Sequence, residues 1–262
     1  MSGALLEAAG VALAYGAAGG ARTVLDRLDL RLAPGEIVSV IGPSGAGKSS
    51  LLRLLAGLQQ PTRGSVRMLG ETLAAPHPRI AVAFQDACLL PWLSVEHNVG
   101  FGLGFRRQPA IGRGERAGRV TQTLAAVGLL DARHLFPAQL SGGMAQRVAL
   151  ARCLARQPRA LLLDEPFGAL DEITRVDMQA LLLGIVRAYR PATLLITHDI
   201  DEALLLSDRI VLLGGPPGAP ASVAHEWRIG LPHPRESQVE ALGALRIEIV
   251  LHLRRLLRPA SV

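Results

Sequence analysis

The chain reads as an α/β fold built around a phosphate-binding loop. Three observations predict it: short apolar runs bounded by turn residues, a glycine-rich loop between a strand and a helix, and two acids closing a later apolar run. At 262 residues the chain fits one large domain or two modest ones, and a hydrophobic fraction of 49% is ample for a core.

Residues 4–32 read as two strand-like segments around the Gly16–Gly20 turn. Ile37-Val38-Ser39-Val40-Ile41 is a short apolar strand that runs into Gly42-Pro43-Ser44-Gly45-Ala46-Gly47-Lys48-Ser49. That octapeptide is G-x-x-x-x-G-K-[ST], the P-loop. Leu51, Leu52, Leu54 and Leu55 then have helical spacing, with Gly57 as the stop. Strand, loop and helix in this order turn loop amides and a helix N-terminus into an anion cradle. Lys48 is the one lysine among 28 Lys and Arg residues. A compact ammonium on a flexible stem can thread a tight glycine loop and reach the β- and γ-phosphates. The loop predicts binding of a nucleoside triphosphate.

Further strands are expected at Ile80–Phe84, Leu161–Leu163, Thr193–Thr197 and Ile210–Leu213. Residues from about 87 to 157 are mostly helix-like, broken at 109–114 and at Pro137, so a helical subdomain is inserted into the core. Gly214–Pro220 is turn-rich and marks the core's end. Beyond it Leu242, Leu245, Ile249, Leu253 and Leu256 form one apolar stripe, with Arg254, Arg255 and Arg258 in the last turns, where cations suit the helix dipole. This helix is expected to pack on the core.

The net charge of +6 raises nucleic acid as a partner, but the arginines are scattered and aromatics are 3% of the chain, which argues against it. A basic face equally suits the cytoplasmic surface of a membrane. Two cysteines, Cys88 and Cys153, offer neither a disulfide framework nor metal spacing, so a reducing cytosol is the expectation. No signal-peptide pattern opens the chain and no 18-residue apolar run occurs, so any membrane role must come through a partner.

Ala160-Leu161-Leu162-Leu163-Asp164-Glu165-Pro166 has the form of a buried strand ending in two acids. Paired acids are common at strand ends. With a P-loop upstream, Asp164 reads as a ligand for Mg²⁺, beside the Ser49 hydroxyl, and Glu165 as a group that polarises an attacking water. Leu140-Ser141-Gly142-Gly143-Met144-Ala145-Gln146-Arg147 is a second anion nest, opening a helix over Val148–Ala155. A second cradle implies either a second phosphate site or a shared one.

The P-loop, the LSGGMAQR stretch and the LLLDEP stretch, joined in order by Gln85, Ala169-Leu170-Asp171 and His198, resemble the ATP-binding cassette family of transporter ATPases from about residue 5 to 215. The resemblance implies a P-loop NTPase core with a parallel sheet, an N-terminal antiparallel β subdomain and the inserted helical subdomain. It places the ATPase domain at 1–214, its core at 1–86 and 158–214, and a C-terminal extension with an amphipathic helix at 215–262. It also implies a head-to-tail dimer with two ATP, each lying between one subunit's P-loop and the other's Ser141-Gly142-Gly143, which explains the second cradle.

Residue by residue, Tyr15 falls where the family stacks an aromatic on adenine, or is a strand-face tyrosine. Gly45, Ala46, Gly47, Lys48, Ser49 and Ser50 are implied to hold phosphates, and Ser49 also to meet Mg²⁺. Gln85 resembles the loop glutamine that senses Mg²⁺ and the attacking water. Asp164 is the metal-side acid, Glu165 the general base, Asp171 an interface residue, and His198 resembles the switch histidine at the γ-phosphate. Ser50 departs from the family pattern, where relatives frequently carry Thr, with the hydroxyl kept.

Two stretches, Leu89–Val99 around Leu90-Pro91-Trp92-Leu93 and Pro166–Arg175, resemble importers of the nitrate, sulfonate and taurine group, and Met144 fits them. The implied role is ATP hydrolysis that energises import through a separate permease, with a periplasmic solute-binding protein acting indirectly. The implied location is the cytoplasmic face of the membrane, as a peripheral subunit. Other transporter classes and a soluble non-transport ATPase are the alternatives; too few residues lie between Lys48 and Ser141 for the coiled-coil arm of a chromosome-organising relative. Trp92 reads either as docking surface or as core of the helical subdomain.

Overall fold

The computed structural model describes residues 3–16, 20 and 22–257, so Arg258 and the middle of the Gly16–Gly20 turn lie outside the described residues. In chain order the elements are β1 (Leu6–Tyr15), β2 (Arg22–Leu32), β3 (Ile37–Ile41), α1 (Lys48–Leu55), β4 (Arg63–Met68), β5 (Glu71–Thr72) and β6 (Ile80–Ala83). There follow α2 (Val95–Gly100), α3 (Arg113–Ala126), α4 (Gly142–Ala155), β7 (Ala160–Asp164), α5 (Glu172–Tyr189), β8 (Ala192–Ile196), α6 (Ile200–Leu206), β9 (Arg209–Gly214), β10 (Ser222–Arg228) and α7 (Val239–Leu257). They form two compact units, one of Met1–His77 with Ala192–Val262 and one of Pro78–Pro191.

In the first unit an antiparallel sheet runs in the order β2-β1-β4-β5, and β3 lies between β9 and β8 with both neighbours parallel to it. All five residues of β3 are buried, which explains its unbroken apolar character. Its one polar member, Ser39, is satisfied by the Ser207 hydroxyl. Helix α1 buries Leu51, Leu52, Leu54 and Leu55, each about 1.5–3 kcal/mol of apolar burial. It ends at Gly57, whose φ of +70° takes the left-handed position after a helix.

Helix α7 lies against the unit's core as its stripe requires. Ile249 is fully buried among Ile41, Leu204, Ile210, Leu212 and Trp227, with Leu242, Leu245, Leu253 and Leu256 packed around it. The turn-rich Gly214–Pro220 stretch does not end the sheet: β10 comes after it and pairs antiparallel with β9.

In the second unit β6 and β7 pair in parallel, and α2, α3, α4 and α5 supply the helical part. Helix α4 starts at Gly142, one turn and more ahead of the Val148 start expected from sequence, because Ser141 accepts the Met144 N–H and so caps it.

Candidate functional site

The P-loop's glycines are set by backbone geometry. Gly42 sits at φ +155°, and a Cβ there would lie 2.2 Å from the Leu213 carbonyl oxygen of β9. Gly47, at φ +87°, would drive a Cβ to 2.8 Å from Leu25 Cδ2. Gly42 is barred to other residues by backbone, and at Gly47 the left-handed φ strains any other residue. The loop therefore turns tightly into α1, with the Lys48 ammonium folded back on it, donating to the Gly42 oxygen at 2.9 Å and the Pro43 oxygen at 3.1 Å. Ser44, Gly45 and Ser49 are exposed.

Tyr15 reaches the same helix. Its hydroxyl lies 3.1 Å from Ser50 Oγ and donates to Gln59 Oε1 at 2.9 Å, while much of the side chain stays exposed. The Ser50 contact holds the phenol below its ordinary pKa, with burial opposing and Gln59 assisting. Tyr15 thus ends β1 with its hydroxyl on the P-loop helix.

His198 is exposed just beyond β8. Thr197 donates its N–H to the Val40 oxygen, and β3 and β8 are parallel neighbours, so the His198 loop and the P-loop share one end of the sheet. Asp199 caps α6 by accepting the Asp201 and Glu202 amides, which fixes where that helix begins. At the other end of α6 sits a residue that sequence reasoning missed. Arg235 is 2% exposed and donates to the oxygens of Leu204 at 2.8 Å, Ser207 at 2.7 Å, Leu231 at 2.9 Å and Ile229 at 3.4 Å. Burial pulls its pKa below the usual arginine range, and Asp208 opposes that shift.

The remaining predicted residues belong to the second unit. Asp164 closes β7, and Glu165 follows at φ +46°, a left-handed conformation that a glutamate adopts only under constraint. A Cβ on Gly168 would lie 3.7 Å from Glu165 Oε2 and 3.9 Å from Gln85 Nε2, so both side chains converge on one small residue. The Gln85 loop is held by α4: Gln146 donates to the Gln85 oxygen at 2.6 Å, and Arg152 to the oxygens of Ala87 and Cys88, each at 2.8 Å.

The signature stretch and Asp171 are also brought together. A Cβ on Gly143 would meet Thr174 Cγ2 at 2.4 Å, and Thr174 is bound twice by Asp171, through its amide and its hydroxyl. Those two bonds, the amide's first, hold the Asp171 carboxyl below its ordinary range. Ser141 and Gly142 remain exposed at the N-terminus of α4, where unpaired helix amides point outward.

Trp92 lies on the surface, 70% exposed, so the structure selects the surface reading over the core one. The buried Asn98 ties down the backbone on both sides of it. Its amide donates to the oxygens of Leu90, Leu93 and Ser94 and its oxygen accepts the Leu90 N–H, clamping the loop's backbone.

Among the described residues, no three His, Cys, Asp or Glu side chains gather as a metal cage, and no helix is long and apolar enough to cross a membrane. Magnesium at phosphate sites uses one or two carboxylates, water and the phosphates themselves. Taken singly, Ser49 in the first unit and Asp164 and Gln85 in the second carry oxygen donors of that kind.

Comparison with known proteins is consistent in kind. The family model described as ABC transporter matches residues 25–168. The chain is 52% identical to the aliphatic sulfonates import ATP-binding protein SsuB 1 of Xanthomonas axonopodis pv. citri, covering 87% of this chain and 88% of that one. It is 44% identical to the protein of the same name from Pseudomonas aeruginosa, covering 97% and 98%. A solved dimeric ATP-binding cassette in a post-hydrolysis state, bound to ADP and Pi, superimposes with a TM-score of 0.74 at 30% identity, over 87% of this chain and all of that one.

Proposed function

The chain belongs to the ABC transporter family, and from that premise we propose that it is the ATP-hydrolysing subunit of an importer for aliphatic sulfonates. The observation that carries the ATPase reading is the P-loop itself, whose glycines are set by backbone geometry and whose Lys48 is already drawn onto the loop. The sulfonate reading rests on the similarity to the SsuB proteins. In cells relying on this importer, uptake of a labelled alkanesulfonate should disappear with Lys48→Ala while nitrate uptake is untouched. Loss of nitrate uptake instead would overturn the substrate assignment.

Within this reading Gly42, Pro43, Ser44, Gly45, Ala46, Gly47, Lys48, Ser49 and Ser50 hold the phosphates, Tyr15 carries the base, and His198 contacts the γ-phosphate. Asp164, Ser49 and Gln85 would hold magnesium, which neutralises phosphate charge when bound. Glu165 takes the proton of the attacking water, and Gln85 orients that water. The strained backbone of Glu165 and its convergence with Gln85 on Gly168 support this division of labour. The ATPase domain is read as 1–214 and the C-terminal extension as 215–262.

The cassette works as a pair, and in this reading Ser141, Gly142 and Gly143 of one subunit complete the phosphate site of the other, with Asp171 at the interface. A periplasmic solute-binding protein delivers the sulfonate to the permease. The subunit sits peripherally on the cytoplasmic face of the membrane.

Leu90-Pro91-Trp92-Leu93 forms part of the docking surface for a short helix of the permease. An exposed tryptophan on a backbone fixed by Asn98 is pre-organised for binding. Trp92→Ala should leave the subunit's Tm and ATP affinity nearly unchanged while weakening permease association by about 2 kcal/mol. A drop in Tm with permease binding intact would remove the docking role.

A further inference from the structure

Among the described residues, helix α7 has a second face left exposed. Its inner stripe is committed to the core around Ile249. The flanking charges Arg246 and Glu248 are engaged as well, Arg246 with Asp201 at 2.8 Å and Glu248 with the Trp227 indole at 2.9 Å. On the opposite side lie Glu240, Ala244, Ile247, Leu251 and Arg254, all exposed and spaced four, three, four and three residues apart. That is the alternation of a helix-pairing seam. Ile247 is 63% exposed and Leu251 45%.

The seam is polarised. It is acidic at Glu240, apolar through its centre and basic at Arg254 with Arg255. Such a seam is complementary to itself run backwards. We propose that the outward face of α7 pairs antiparallel with α7 of a second copy of this chain. With a two-fold axis beside Ile247, the Ile247 side chains of both copies meet at the axis. Ala244 then comes level with Leu251 of the second copy, small against large, to within one 1.5 Å helix rise. Glu240 comes level with Arg254 and Arg255 of the second copy at each end. A parallel arrangement would set acid on acid and base on base, so charge selects the antiparallel one.

This contact uses neither the P-loop nor Ser141–Gly143, so it should hold copies together without nucleotide. The test is register-specific cross-linking of the full chain without nucleotide or magnesium, in a background of Cys88→Ser and Cys153→Ala. With a short bismaleimide, Ile247→Cys should give a covalent dimer by itself. Ala244→Cys and Leu251→Cys should cross-link more strongly mixed than alone. Val239→Cys, 73% exposed but off the seam, should not react across copies. In sedimentation, Glu240→Arg should weaken self-association roughly tenfold or more, and Arg254→Glu with Arg255→Glu should restore it. Equal cross-linking at Val239 and Ile247, or none at Ile247, overturns the proposal. So does unchanged self-association of Ile247→Asp combined with lost permease co-purification, which would give the face to the permease.

Discussion

Glu165→Gln is expected to lower ATP turnover by roughly 10²–10⁴, the range for loss of a general base. The amide is nearly the size of the carboxylate but cannot take a proton from water. Lys48 and the enforced glycines Gly42 and Gly47 are untouched, so nucleotide should still bind. The variant should therefore hold ATP and turn it over slowly, whereas Lys48→Ala should lose phosphate affinity instead. Turnover in steady state together with binding of a fluorescent ATP analogue separates the two. Wild-type turnover by Glu165→Gln would remove the assignment of the base.

Arg235→Ala is expected to be the most damaging substitution away from the phosphate chemistry. It removes the donor from the buried Leu204, Ser207 and Ile229 oxygens and from the half-buried Leu231 oxygen. Buried groups left without partners cost about 1–3 kcal/mol each, so a loss of about 3 kcal/mol or more is expected. For a chain of this size that is roughly 6–12 °C in Tm, at about 2–4 °C per kcal/mol. Arg235→Lys keeps the charge but has fewer donors in a different geometry, and should fall between. Calorimetry on the three proteins decides it. An unchanged Tm for Arg235→Ala would mean those oxygens find other partners.

Legibility in sequence depends on how local each signal is. The P-loop, β3 and α1 announce themselves because glycine spacing, leucine spacing and an apolar run are all properties of neighbouring residues. The Ser141 cap was legible for the same reason, although the helix it opens began earlier than expected. Arg235 was invisible: its partners are backbone oxygens, which every residue possesses, so no residue pattern marks a buried guanidinium's place. Asn98 was hidden likewise, since a single asparagine carries no spacing. β10 was missed because it is an edge strand with one buried residue, Trp227, and too little alternation to stand out from a turn-rich stretch. Within the second unit, the approach of Glu165 and Gln85 to Gly168 joins positions far apart in the chain, and only the fold brings them together.

The Lys48 ammonium, held over the loop by two carbonyl oxygens, also gives the molecule a chemical handle. Since Lys48 is the one lysine of the 262-residue sequence, it is the one side-chain amine there that an amine-directed acylating reagent can meet. Acylation removes the charge that meets the phosphates. Amine-directed labelling thus becomes a direct footprint of occupancy: a bound nucleotide shields the lysine, and the extent of labelling reads the fraction of sites left open.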